Sequence, residues 1–329
     1  RRRWRPRSGN HLQQDSVTHR LFFVIGGCLA LLVLAPPSCG QGSPDGSIYS
    51  RFWIGDLQLY GSPQIIAMGG GATGLGGRRY SNSLNPATLA NIRLTGVSAG
   101  LSYESVDITD RFDNTSRLSN GSLRAVQFSF PLLESKVGIG ASFVPYSTRR
   151  YRIEVSDALD TGDDETVGYT VNFLGTGGLQ KAAIATGIAL TPTISVGIEG
   201  QMLFGLIEES QETVFETSLY ETSLLTNAIR MRGFSARFGV LAGFPGLRRD
   251  NDLLTIGAQF TLPTSLTADQ TLTSGPAQER DTLAVGADGD VDLPFSASVG
   301  AAYKASPRWL FVADFRYEPW TEFTSTVPL

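Results

Sequence analysis

The feature that most restricts the fold of this chain is a two-residue alternation that returns in nine segments between Leu94 and Trp320. Large apolar side chains take every second position, and the positions between them hold mostly Gly, Ser, Ala, Thr or Gln. Because successive strand side chains point to opposite faces, each segment predicts a strand with one bulky apolar face and one face of small residues. The nine predicted strands are 94–104, 122–131, 136–146, 179–190, 194–208, 228–244, 253–262, 295–304 and 309–320.

These faces favour a lipid environment for the strands. In a soluble sandwich the face opposite the core carries many charges, whereas here it carries small and uncharged residues. The segments are about 9 to 15 residues long, above the 5–6 usual for soluble strands and close to the 9–11 that a tilted membrane strand needs. We therefore predict an all-β fold, a transmembrane antiparallel up-and-down β-barrel. A secreted sandwich or solenoid is the alternative.

The links between the strands alternate in length, as they do in outer-membrane barrels with tight periplasmic turns and long external loops. The predicted barrel therefore starts upward from the periplasm at Leu94 and spans 94–329. Nine strands is an odd number and leaves an open edge in lipid, so we expect a truncated sequence with strands missing. The long links are 105–121, 148–178, 209–227 and 263–292, and the short links are 132–135, 191–193, 245–252 and 305–308.

A glycine-rich stretch, Met68–Ile92, precedes the first strand. Its glycines oppose a long helix, and Pro86 opposes a strand. A compact irregular segment ahead of many amphipathic strands predicts a plug, residues 41–93, enclosed by the barrel.

Residues 1–40 form the third predicted region, a leader with a secretory signal peptide. A basic flank, the apolar run Leu21–Ala35 and small residues up to Gly40 are typical of such a peptide. The apolar run is shorter than a membrane helix. A lipoprotein anchored at Cys39 is the alternative, and the prolines at 36 and 37 disfavour it.

The leader also contains both cysteines and both histidines of the chain. A mature chain without them excludes Ser-His-Asp and Cys-His catalysis and His- or Cys-ligated zinc, so we predict no enzyme activity, metal or cofactor. Removal of the leader takes away six basic residues and one acidic residue, which changes the net charge from −4 to −9. This charge disfavours nucleic-acid binding.

Two groups of motifs resemble the FadL family of outer-membrane transporters of hydrophobic compounds. The first is AMGGGATGLGG followed by SNSLNPATLANI, which looks like the N-terminal hatch of that family. The second group of motif residues is Pro294, Gly300, Tyr303, Trp309, Asp314, Trp320 and Phe323. The resemblance implies a fourteen-stranded barrel, about five strands longer than this chain, for passive uptake of long-chain fatty acids.

The resemblance also implies a lateral gate, where Asn85-Pro86-Ala87 lies against a kinked third strand. Gly138, Gly140 and Pro145 weaken the pairing of that strand. The alternative is that the glycines make room for the plug and Pro145 ends the strand.

Five further residues are candidates for substrate binding. Arg78 and Arg79 would grip a carboxylate, or else pair with inward-facing acids. Phe173, Leu206 and Phe215 would line an apolar groove in the external loops, or else belong to strands that continue beyond the membrane.

We expect a monomeric protein of the bacterial outer membrane that contacts outer-membrane lipid and lipopolysaccharide, binds a hydrophobic small molecule, and binds no nucleic acid. The alternative function is a non-transporting scaffold or accessory barrel of the same superfamily, as in secretion systems. A lumen sealed by plug and loops, with no apolar pocket, would favour that alternative.

Overall fold

The computed structural model describes residues 46–58, 63–76, 82–109, 113, 115–160, 166–217, 219–249, 251–276 and 281–329. They lie in one compact unit, Ser43–Leu329, and fifteen strands account for most of them. The strands are β1 Asp56–Leu57, β2 Gly96–Thr109, β3 Thr115–Leu133, β4 Val137–Pro145, β5 Ser147–Thr148, β6 Tyr151–Asp160, β7 Thr166–Ala189, β8 Ile194–Phe215, β9 Ser223–Pro245, β10 Leu253–Thr261, β11 Thr264–Pro276, β12 Asp281–Leu293, β13 Ser296–Ser306, β14 Trp309–Tyr317 and β15 Thr324–Ser325.

The helices are short. Helix α1 is Pro63–Ala67, and three 3-10 helices cover Ile48–Arg51, Pro86–Asn91 and Trp320–Glu322. None of the helices in the described part of the chain has the length and apolar content to cross a membrane.

The large sheet is antiparallel throughout, in the order β14-β13-β10-β9-β8-β7-β4-β3-β2. This arrangement confirms the predicted all-β antiparallel fold. Among the described residues β2 and β14 do not pair with each other, so the sheet is not closed.

The predicted long external loops are wrong, because the structure continues them as β-hairpins. β9 pairs with β10 near its end and with β11 near its start, so β10 and β11 form one long strand interrupted at 262–263. In the same way β7 pairs with both β4 and β6. Because the outward positions of these hairpins are polar, apolar alternation does not identify their strands.

The polarity of the sheet reverses along its strands. Near the short turns the outward side chains are apolar and the inward ones polar, as the alternation predicts for strands in lipid. This apolar outer face, which we call the belt, covers about ten residues per strand, for example Phe234 to Phe244 of β9. Exposed belt side chains include Ile184, Ile198, Phe234, Phe238, Ile256, Val299 and Phe315, and buried inward ones include Gln127, Ser129, Glu199, Gln201, Arg237, Gln259 and Ser298.

Beyond the belt the same strands have a water-soluble pattern. Outward positions carry polar groups such as Arg232, Thr267 and Asp290, and the inward face is an apolar core. The reversal indicates that lipid surrounds only the half near the short turns and that water surrounds the hairpins. The core consists of Ile54, Leu179, Leu203, Ile207, Ile229, Met231, Leu266, Ala268, Val291, Leu293 and Val327.

Both ends of the described chain fold against the inner face of the sheet. The described residues up to Ile92, called the interior segment here, contact five strands through the 3-10 helix Pro86–Asn91. Near the hairpins β1 pairs with β5. At the other end β15 pairs with β12, and Val327 lies in the apolar core.

Candidate functional site

Asn85 fixes the interior segment to the wall by its side chain and backbone. Its Oδ1 accepts a hydrogen bond from the backbone N–H of Ala87 at 3.0 Å and so caps the 3-10 helix. Its Nδ2 donates to the carbonyls of Thr73 at 2.8 Å and of Val240 at 3.0 Å. Asn85 therefore joins two parts of the interior segment to β9, with its side chain fully buried.

A row of four glycines lies beneath this helix. Gly138, Gly187, Gly197 and Gly239 are directly paired across β4, β7, β8 and β9. A Cβ on any of them would overlap Asn85, Pro86, Ala87, Leu89 or Ala90; at Gly187, for example, it would lie 2.6 Å from the carbonyl oxygen of Pro86. The row lets the helix approach the backbone of the wall more closely than any side chain would permit.

A second close approach holds the interior segment against β13 and β14. The Asp314 carboxylate on β14 accepts hydrogen bonds from the backbone N–H groups of Ala72 at 2.9 Å and Thr73 at 2.7 Å. A Cβ on Gly74 would be 2.5 Å from the carbonyl oxygen of Gly300 on β13. The Thr73 and Ser298 hydroxyls are 2.9 Å apart.

A buried charge cluster lies beside the glycine row. The Glu199 carboxylate is 3.7 Å from Lys181 Nζ and 3.6 Å from an Arg237 guanidinium nitrogen, and it accepts a hydrogen bond from Gln201 at 2.8 Å. Arg237 also donates to the carbonyl of Ser83 at 2.8 Å. Buried charges need such partners, so the cluster stabilises the wall and the segment together.

A third set of polar contacts ties the segment to the hairpins. Arg149 lies 3.3 Å from Glu209 and donates to the carbonyl of Arg51. The Tyr151 hydroxyl donates to Glu209 at 2.7 Å. Burial, together with this hydrogen bond, raises the pKa of Tyr151 to about 12, which keeps the hydroxyl protonated as a donor.

Two small cavities lie against the inner face of the described part of the sheet. One cavity of about 30 Å³ lies between Arg237, Leu203 and Trp320. Another of about 10 Å³ lies between Ser83, Leu89 and Glu199. Each is close to a water molecule in size and too small for an acyl chain.

The structure brings the two groups of predicted gate residues close together, because the 3-10 helix Pro86–Asn91 packs on β4. Gly138 and Gly140 stay in an unbroken ladder with β7, and Leu89 fills the space above both. Pro145 ends β4, after which Ser147 and Thr148 pair with β1. The alternative, in which the glycines make room for the plug and Pro145 ends the strand, describes this geometry.

The predicted substrate residues are not assembled into one groove. Arg78 and Arg79 lie outside the described residues. Phe173 lies under the Arg51 guanidinium, 5.6 Å from it, and Phe215 contacts the rings of Tyr169 and Tyr220. Leu206 instead has the same two-residue phase as Ile198 and Met202 and is exposed as they are, so it lies on the outer face of the sheet, opposite to Phe173 and Phe215.

The sequence marks Glu199 and Asp314 as inward-facing acids and possible partners of Arg78 and Arg79, but it does not identify the cluster with Lys181 and Arg237 or the bonds of Asp314 to the backbone of the interior segment. Lys181, Glu199 and Arg237 stand on three different strands, and each is a single charge in a run of small and apolar residues. A charge at an inward position of a predicted membrane strand is the signal that could have identified them.

The fold, the belt and the filled interior define a class: an outer-membrane β-sheet protein with an internal plug. The chain belongs to the BamG family, whose family model matches residues 24–328. That family is associated with the bacterial outer membrane and with the β-barrel assembly machinery, which confirms the predicted location. No curated protein and no solved structure matches the chain.

The family match corrects two predictions. The resemblance to FadL is wrong, because the matched family is a distinct one. The predicted uptake of fatty acids through a lateral gate is wrong with it, and the accessory-barrel alternative fits better. The Gly-rich and Asn-Pro-Ala motifs that carried the resemblance form the contacts of the plug with the wall, and such contacts do not depend on a substrate.

Proposed function

We propose that this protein is a non-transporting, non-enzymatic accessory component of the machinery that assembles β-barrels in the outer membrane. The observation that carries the proposal is the packing of the interior segment, backbone against backbone, on the glycine row Gly138-Gly187-Gly197-Gly239. Membership of the BamG family supports the connection to barrel assembly.

The filled interior supports a structural role over a channel. The interior segment contacts the wall by the Asn85 amide, the Asp314 carboxylate and the backbone near Gly197. Opening a path for an acyl chain would break these contacts and uncover the charge cluster around Glu199. Each buried group left without a partner costs about 1–3 kcal/mol.

The outer surface is then the part of the molecule that remains for function. The hairpins extend beyond the belt and carry polar outward positions. A scaffold needs such an accessible, rigid surface and does not need a lumen.

The proposal is tested by affinity purification of the tagged full-length gene product from native outer membranes in a mild detergent. We expect the central barrel subunit of the assembly machinery to co-purify, and an equally abundant unrelated barrel to be absent. We also expect deletion of the gene to lower the amounts of other outer-membrane barrels and to leave uptake of labelled fatty acid unchanged. Failure to co-purify, together with normal barrel levels, would contradict the proposal.

A further inference from the structure

We propose that the β9–β10 turn and the β13–β14 turn together form a binding site for the headgroups of anionic phospholipids. Four cationic residues stand in or beside these two turns: Arg248, Arg249, Lys304 and Arg308, all exposed. The site lies where the belt ends. Lipid binding at this site is a property additional to the proposed role in barrel assembly.

The two turns are neighbours because β10 and β13 are paired. Leu253, the first residue of β10, is the register partner of Lys304, and Ser306 is the partner of Trp309. The arginines of both turns therefore stand at one corner of the sheet, and Lys304 lies at the same corner on the inner face, two residues from the buried Ala302.

The Asp252 carboxylate, on the described side of the turn, is already occupied. One Asp252 carboxylate oxygen accepts hydrogen bonds from the backbone N–H groups of Arg248 at 2.9 Å and Arg249 at 3.1 Å, and from the Tyr303 hydroxyl at 2.9 Å. These bonds use the backbone N–H groups of the arginines and not their guanidinium groups. Within the described residues no acid pairs with the four cations, and the two turns carry a net positive charge even with Asp250 and Asp252 counted.

Aromatic and apolar side chains accompany the cations. Trp309 is 64% exposed and stacks on Phe311 at 6.1 Å, and Leu247 is 63% exposed in the tip of the turn. Tryptophan prefers the boundary between acyl chains and headgroups. These side chains place the cations at the level of the lipid phosphates.

The other short turns lack this combination. The turn between β7 and β8 is Thr191-Pro192-Thr193, without a charge. The turn between β3 and β4 holds Glu134 and Lys136, and Arg93 donates to Ser135 there, so it has one net positive charge but no aromatic side chain. The larger positive charge, together with an exposed aromatic side chain, therefore distinguishes one corner at this end of the sheet.

The chemistry selects an anionic phospholipid as the occupant. Guanidinium and ammonium groups bind phosphate oxygens, and each cation near an anionic bilayer surface adds about fivefold to the affinity. Because short turns face the periplasm in outer-membrane barrels, the lipids at this corner are phospholipids of the inner leaflet.

Trp309 supplies the readout for a test. The full-length gene product is reconstituted into phosphatidylcholine vesicles that contain either brominated phosphatidylglycerol or brominated phosphatidylcholine, and tryptophan quenching gives the relative affinity. We expect a preference for phosphatidylglycerol, at least fivefold lower in Arg248→Gln/Arg249→Gln. Trp309→Phe should remove the headgroup-dependent part of the quenching.

Arg152→Gln/Arg230→Gln is the matched control, since it removes two exposed arginines from the hairpin half. The turn variant should fold, because the contacts of Asp252 use backbone N–H groups, and circular dichroism with heat-modified gel mobility checks this. Equal quenching by both lipids, or an equal loss in the control variant, would overturn the proposal. Displacement of brominated phosphatidylglycerol by equimolar lipid A would also overturn it, since the leaflet would then be the outer one.

Discussion

Gly197 of β8 and Pro86 of the interior segment are in backbone contact: a methyl group on Gly197 would overlap the carbonyl carbon of Pro86 and the amide nitrogen of Ala87. Neither partner is the flexible end of a side chain, so neither can move aside alone. The wall and the segment must therefore fold as one unit.

Gly197→Ala should destabilise the protein by about 1–3 kcal/mol, the usual cost of overpacking. Gly200→Ala is the control on the same strand, because a Cβ there meets nothing within 4 Å. Urea unfolding of the two variants in detergent measures the difference. Equal midpoints would show that the helix does not rest on the wall as described.

Asp314→Ala should loosen the interior segment locally. The loss of the carboxylate leaves the N–H groups of Ala72 and Thr73 without their acceptor, and hydrogen bonds to charged groups contribute about 1.5–3 kcal/mol. Hydrogen exchange at these two amides should accelerate, less so in Asp314→Asn, which keeps one acceptor oxygen. Unchanged exchange in Asp314→Ala would contradict the assignment.

Glu199→Ala should be strongly destabilising, by about 3–5 kcal/mol, because it removes the carboxylate beside the buried Lys181 and Arg237. Removing Lys181 at the same time should restore part of the loss, since one buried positive charge fewer then remains. A double-mutant cycle of unfolding free energies for Glu199→Ala and Lys181→Ala tests this coupling. Additive effects would refute it.

The β9–β10 turn should confer a pH dependence on stability. Burial of the Asp252 carboxyl acts to raise its pKa, but the hydrogen bonds from Tyr303 and from the backbone of Arg248 and Arg249 outweigh it and hold the pKa below the ordinary value. A lowered folded-state pKa means stabilisation that is complete above the unfolded pKa, about 4, and lost as the pH falls through the folded value. Asp252→Asn should therefore lose stability at pH 7 and show a flatter profile below pH 4, measured by unfolding midpoints.

A disulfide should fasten the interior segment without impairing function. The hydroxyl oxygens of Thr73 and Ser298 are 2.9 Å apart, so Thr73→Cys/Ser298→Cys brings two sulfurs within bonding reach. We expect a shift in non-reducing gel mobility and unchanged co-purification with the assembly machinery, with Ser298→Cys alone as the control. Loss of co-purification only in the oxidised form would show that the segment must move.

Much of the belt half could be predicted from the sequence. The alternation around Phe234 and Phe238 places large side chains outward, because a strand has only two faces and small residues such as Gly239 fill the other. The same pattern predicted the buried positions of Gln127 and Ser129. These are local consequences of the period of a strand, which is why a single sequence contains them.

The hairpin half could not be found in this way. Its outward positions are polar, and its inward side chains, such as Met231 and Val291, belong to a core completed by Ile54 and Val327 from the two ends of the described chain. Whether such a segment is a loop or a strand depends on those distant partners.

The sequence by itself determined which residues form the strands of the belt, which face of those strands is apolar there, and that a glycine-rich segment precedes them. Only the tertiary structure decided what the glycines and charges do. Gly138, Gly187, Gly197 and Gly239 form a row, and Lys181, Glu199 and Arg237 form a cluster, because four strands pair in one particular register. Register is a relation between distant segments, and the short motifs that suggested a transporter do not contain it.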